Sequence, residues 1–140
     1  MIAVIRITGD VKIREEIRGT LFRLRLRKKY TCVLINEEDK NQKGMLKKVY
    51  DFVAFGEIDK QTLVRLIEKR AQIIEKKNKI NPEKTAEEIL KGKKLEDLGI
   101  KPYFRLHPPR GGLKSAKLKF PKGVLGNHKD KINKLIEKML

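Results

Sequence analysis

The fold is decided by IAVIRIT, residues 2–8, and by VKIREEIRGTLFRLRLRKKYTCVLI, residues 11–35. In the first stretch Ala3, Ile5 and Ile7 alternate with Val4, Arg6 and Thr8, the period of two that predicts a half-buried strand. In the second, Ile13, Ile17, Leu21 and Leu24 recur at the spacing of one helix face, which predicts a helix from about Val11 to Arg27. On that helix Arg14, Arg18 and Arg25 project from one flank and Arg23 and Arg27 from the other. Tyr30–Ile35, rich in β-branched residues, reads as a second, buried strand, with Cys32 as a small core residue.

Outward from this unit, Asn36–Gln42 reads as polar loop and Lys43–Tyr50 as a helix with Met45, Leu46 and Val49 inward. Phe52–Ile58 reads as a third strand. The order strand, helix, strand, helix, strand places residues 1–58 in an α+β core. Asp59 is positioned to cap a helix over Gln61–Lys77 that turns Leu63, Leu66, Ile67, Arg70 and Ile74 to one side. Asn78–Pro82 is a break. Thr85 and Glu88 match a capping box for a helix over Ala86–Lys91, stopped at Gly92. Leu95–Leu125 is rich in Pro and Gly, with short strands expected at Tyr103–Leu106 and Lys117–Phe120. Asn127, with Asp130 three residues on, is expected to cap a last helix over about 128–139 with Ile132, Leu135, Ile136 and Met139 inward. Residues 59–140 are thus expected to pack on the core as an extension within a single domain.

Charge points to the partner. The 140 residues carry 35 Lys and Arg against 18 Asp and Glu, a net charge of +17, of which +9 belongs to residues 99–140. No acid occurs from Ile17 to Asn36, a window holding Arg18, Arg23, Arg25, Arg27, Lys28 and Lys29. None occurs between Asp97 and Asp130 either, where Arg105, Arg110, Lys114, Lys117, Lys119 and Lys122 fall. Solvated surfaces mix signs to avoid self-repulsion, so two long one-sign windows point to a polyanion, and the arginine fork matches phosphate. The polar interruptions Arg6 and Asp10 argue against a signal peptide or spanning helix, and one cysteine fits a reducing compartment. A cytoplasmic protein without metal or cofactor is expected.

Catalytic signatures are missing. No phosphate-cradling glycine motif appears, and the only histidines, His107 and His128, sit in loop-like contexts far from Cys32 in sequence. FRLHPPRGGLKSAKLKF, residues 104–120, is instead an irregular basic loop whose glycines allow main-chain N–H groups to approach phosphate. Phe104 and Phe120 weigh toward core positions, and His107 stands open between RNA contact and local hydrogen bonding. Without a helix-turn-helix, zinc finger or heptad-linked basic helix, folded RNA fits better than duplex DNA. A membrane surface fits poorly, because the apolar helix faces lack Trp and are needed for the core.

Taken together, the strand IAVIRIT, the helix ending LFRLRLRKKY, the KGMLKKV helix and the VAFGEID strand end resemble the large-subunit ribosomal protein family numbered L-thirty. Pro109-Arg110-Gly111-Gly112 with the basic run after it, and GNHKDKINKLIEKM from Gly126, resemble the longer archaeal and eukaryotic branch, known in eukaryotes as L-seven. The resemblance implies a ferredoxin-like β-α-β-α-β core, an antiparallel sheet with helices on one face, and a long helical and loop-rich C-terminal extension. It also implies binding to large-subunit ribosomal RNA beside neighbouring ribosomal proteins, with no cofactor, small-molecule substrate or membrane. Carried onto this chain, the RNA-facing residues are the bases of Arg18–Lys29, then Lys43, Lys47 and Lys48, then Arg105, His107, Arg110–Gly112 and the following lysines, with Asn127 and His128. Two positions depart from the family: Asp39-Lys40-Asn41 where Asp-Thr-Pro is usual, and Phe55 where Trp is common. An assembly or processing factor on the same fold, or an RNA-modifying enzyme using a histidine, are the alternative readings.

Overall fold

Five strands form one sheet in the order β4-β2-β1-β3-β5: β1 (Ile2–Arg6), β2 (Thr31–Ile35), β3 (Val53–Glu57), β4 (Phe104–Arg105) and β5 (Gly126–Asn127). The structure, a computed structural model, describes residues 1–9, 11–74, 80–112, 117–120 and 122–140. Antiparallel pairing joins β1 to β2 (Val4 opposite Val33), β1 to β3 (Ile5 opposite Ala54) and β2 to β4 (Thr31 opposite Arg105). The short β5 lies parallel to β3, so the expected antiparallel sheet is mixed at one edge.

Alternation along the strands feeds two hydrophobic clusters. Val4, Val33 and Val53 meet Leu21 and Leu24 of the first helical segment and Leu46 of the second, α1 (Glu15–Arg23) and α2 (Lys40–Lys48). Ala3, Ile5, Ile7, Cys32 and Ala54 face the opposite way, onto α3 (Lys60–Arg70), α4 (Pro82–Leu90) and α5 (Ile132–Met139). Helices therefore cover both faces. The first strand is buried on both sides from Ala3 to Ile7 rather than half-buried, because the extension lays a second layer against it. The extension comes close to the sheet at Gly56, where any Cβ would collide with the Lys129 carbonyl and the Ile132 side chain; α5 packs against β3 here only because this residue has none.

Element ends follow local hydrogen bonding. α1 begins four residues later than the periodicity suggests and stops at Arg23, since Leu24 caps it and Arg25 turns left-handed (φ 65°). α2 begins at Lys40, before the expected Lys43, because the Asp39 side chain accepts from the Asn41 and Gln42 amides at 3.0 and 3.3 Å. Lys40-Asn41 thus form a first helical turn without the family's Thr-Pro. α3 is capped by Asp59, as expected, but ends at Arg70: Ile73 pairs with Ile100, and Ile74 is left 54% exposed instead of facing inward. α4 starts at Pro82 under an Asn81 cap rather than at a Thr85 box, Thr85 being buried within the helix. Lys117–Phe120 forms no strand, only a bridge from Lys119 to Leu125. Asn127 belongs to β5, and its Oδ1 accepts from the Lys129 amide at 2.9 Å, serving the 3-10 turn before α5 rather than α5 itself.

Two polar side chains are structural. Arg6 is 2% exposed, and its guanidinium donates to the carbonyls of Thr8, Leu26 and Arg27 at 2.8–2.9 Å. His128, read from sequence as an RNA contact, is instead buried against Phe120, ring centroids 4.4 Å apart, and bonds the Val124 carbonyl at 2.6 Å. Burial lowers its pKa, only partly opposed by that hydrogen bond.

Arg6→Met should lower unfolding free energy by about 3 kcal/mol in urea titration, since carbonyls that lose a buried donor each cost about 1–3 kcal/mol. Leu21, fully buried, and Ile17, half-buried at the margin of the same cluster, separate core from rim. Leu21→Ala should cost about 2–5 kcal/mol and Ile17→Ala about half as much. For His128 the folded state disfavours the imidazolium, so its contribution is full above the ordinary histidine pKa and is lost as pH falls through the lower folded value. Between about pH 7.5 and about 5.5 the urea midpoint should therefore fall more in the native protein than in His128→Gln.

Candidate nucleic-acid interface

The turn from α1 to β2 is held from within. Leu26 is buried and its amide bonds the Leu21 carbonyl at 2.9 Å, while Arg6 grips the carbonyls on either side of Arg27's amide nitrogen. At the far end the Tyr30 amide bonds the Arg6 carbonyl at 2.7 Å, with Tyr30 in the left-handed region (φ 61°). Non-glycine residues seldom occupy that region, and both Arg25 and Tyr30 do so here, one at each end of the basic run. With Leu26 turned inward, Arg23, Arg25, Arg27, Lys28 and Lys29 are left exposed.

Sheet pairing then brings in the second acid-free window. Because Thr31 stands opposite Arg105, β4 sets Tyr103 and Arg105 beside this turn. A notch of about 50 Å³ results, lined by Arg25, Arg27, Lys28, Thr31, Tyr103 and Arg105. Among the described residues one carboxylate meets these four cations, Glu96 at 3.0 Å from Arg25. Two of the guanidiniums lie over aromatic rings instead, Arg27 over Phe22 at 4.2 Å and Arg105 over Tyr103 at 5.6 Å. Four positive groups around so small a space repel one another, and an anion between them relieves that repulsion.

The rest of the second window lies elsewhere. His107 is half-buried, with Nδ1 at 2.7 Å from the Pro108 carbonyl and Nε2 against the Leu140 carbonyl; local hydrogen bonding occupies its ring. Arg110, Gly111 and Gly112 are exposed on a turn anchored by the Arg110 amide to the Lys138 carbonyl at 3.0 Å. Both glycines have positive φ, 81° and 77°, and a Cβ at either would meet nothing, so backbone conformation is what requires glycine here. Lys114 lies outside the described residues. Lys119 and Asn127 lie at the β5 edge, opposite the β4 edge, where Lys119 pairs with Asp51 at 3.1 Å and lies over the Tyr50 ring; Lys117 and Lys122 are exposed. On the α1–α2 face Lys43 and Lys47 are exposed, Arg18 likewise, and Lys48 pairs with Glu16 at 3.3 Å.

Arg25 was expected on the helix flank and lies instead beyond the helix end, turned into the notch. Phe22 and Tyr103 went unnoticed in sequence. Phe22 sits off the Ile17–Leu21–Leu24 stripe and could have been found by that displacement, whereas nothing local marks Tyr103. Cys32 is buried and its thiol is pushed up to about 12 by burial, so it stays protonated at neutral pH. Among the described residues no group of three or more His, Cys, Asp or Glu is placed to hold a metal ion, and no helix is long and apolar enough to cross a membrane.

A family model described as ribosomal protein L30p/L7e matches residues 2–53, the span of β1 through the start of β3. The large ribosomal subunit protein uL30 of Archaeoglobus fulgidus is 41% identical, the alignment covering 99% of each chain. Those of Methanococcus vannielii and Desulfurococcus amylolyticus are each 42% identical across 99% of this chain and 98% and 97% of theirs. Likeness at that level over both the core and the extension carries one conclusion: the chain belongs to the uL30 family of large ribosomal subunit proteins.

Proposed function

We propose that this protein is a structural constituent of the large ribosomal subunit, working in the cytoplasm without catalysis of its own and held on large-subunit ribosomal RNA beside neighbouring ribosomal proteins. The observation that carries the reading is the junction of the two acid-free windows at one notch, where Arg105 from β4 meets Arg25, Arg27 and Lys28. Mixed-sign surface would neutralise itself; this one does not. Phosphates of the RNA backbone supply the missing charge, and release of their counterions drives association.

Arg18, Arg23 and Lys29 extend this contact along the same turn and helix, and Lys43 and Lys47 carry it onto α2. Arg110 with Gly111 and Gly112, and Lys117 and Lys122, form separate contacts that let the protein bridge distinct RNA segments. Lys48, Lys119 and Asn127 already hold protein partners, as do His107 and His128, so they serve mainly to shape the surface. The Arg6 grip gives the arrangement its function: phosphate contacts position a protein on RNA only when their own spacing is rigid.

Binding of purified large-subunit ribosomal RNA, followed by filter retention against KCl concentration, should give a log–log slope on the order of −6 for about eight phosphates at about −0.7 each. Arg27→Ala with Arg105→Ala should flatten that slope by about 1.4 and leave the melting temperature nearly unchanged, both side chains being exposed. A slope near zero in the native protein contradicts the reading.

A further inference from the structure

We infer that the notch and the ring beside it form a site for one unpaired nucleotide of RNA, with phosphate between Arg25, Lys28 and Arg105 and the base stacked on the layer made by Arg27 and Phe22. The inference deepens the proposed function and rests on it. Three observations support it. First, Phe22 is 55% exposed and is the only aromatic among the large exposed hydrophobic side chains of the described residues. A single exposed apolar side chain is ordinary on a protein surface; this one stands out because its ring is a flat stacking face beside a cationic notch, and stacking takes a partner on that face.

Second, that partner is already half assembled. Arg27 lies over the Phe22 ring at 4.2 Å and also lines the notch, so one guanidinium belongs to both features. A guanidinium over a ring engages through its face, which leaves its edge N–H groups available to phosphate and its outer face available to a second flat group. Third, the notch is suited to a phosphate by its lining: Arg25, Arg27, Lys28 and Arg105 surround it, with Tyr103 and Arg105 closing the other wall.

Paired RNA cannot use such a site, because its bases are stacked on their own neighbours; a bulged or looped nucleotide can. Stacking on an aromatic ring is tolerant of base identity, so the site selects unpaired geometry rather than sequence. Electrostatics would bring RNA to the surface, and Phe22 would choose which part of it docks.

The test uses the full chain and two RNA hairpins, identical except that one carries a single bulged 2-aminopurine. Native protein should bind the bulged hairpin roughly tenfold more tightly, the fold-change expected from stacking one base, and should quench the 2-aminopurine emission. Phe22→Ala should bind both hairpins alike and leave emission unquenched while keeping the native salt slope. Phe22→Tyr should restore both preference and quenching. Arg27→Gln, which keeps a planar group over the ring, should retain part of the preference while flattening the slope. Equal affinity of the native protein for the two hairpins, or a preference that survives Phe22→Ala, overturns the inference. If either occurs with a steep salt slope, the electrostatic reading stands and stacking alone fails; a flat slope removes both.

Discussion

The buried guanidinium of Arg6 ties the basic turn between α1 and β2 to the sheet. It stands near the end of β1, with donors on the carbonyls of Thr8, Leu26 and Arg27. A buried charge is tolerated only when hydrogen bonds replace its hydration, and main-chain carbonyls do so here. The consequence reaches the surface. Holding Leu26 and Arg27 by their carbonyls fixes the direction in which Arg25, Arg27 and Lys28 leave the backbone. A flexible loop of the same composition would carry the same charge without a defined spacing.

Everything outward of that link depends on a sheet with two apolar faces. α1 and α2 cover one face, and α3, α4 and α5 cover the other, so the extension completes a three-layer arrangement around the β1–β3 strands. Gly56 allows α5 to lie close enough to do this. The last helix then ends beside His107, whose amide bonds the Met139 carbonyl, and so tethers the chain just after β4. In this way packing on one face supports the edge strand that delivers Arg105.

Much of the core was legible in local pattern. Period-two alternation placed β1, apolar and β-branched runs placed β2 and β3, and apolar helical spacing placed the first two helices near their true positions, because burial is imposed residue by residue. Helix ends were less legible. Asp39 and Asn81 cap earlier than the apolar pattern begins, and α3 yields to pairing between Ile73 and Ile100, residues 27 positions apart. Such competition between a helix and a distant backbone partner leaves no mark within the helix. His128 shows the same limit: a histidine beside a glycine and an asparagine reads as surface, and only the fold surrounds it with Phe120 and Val124.

For the candidate site, sequence alone determined that cations are concentrated in two acid-free windows and that phosphate is their natural counterpart, because charge and side-chain geometry are properties of each residue. Tertiary structure alone decided how those windows are dealt out. Strand pairing carries Arg105 to the Arg25–Lys28 turn at one edge of the sheet, and parallel pairing carries Asn127 to the other. The physical reason is range: composition and periodicity act over a few residues, whereas Thr31 and Arg105 meet through hydrogen bonds between strands that 68 intervening residues separate in the chain.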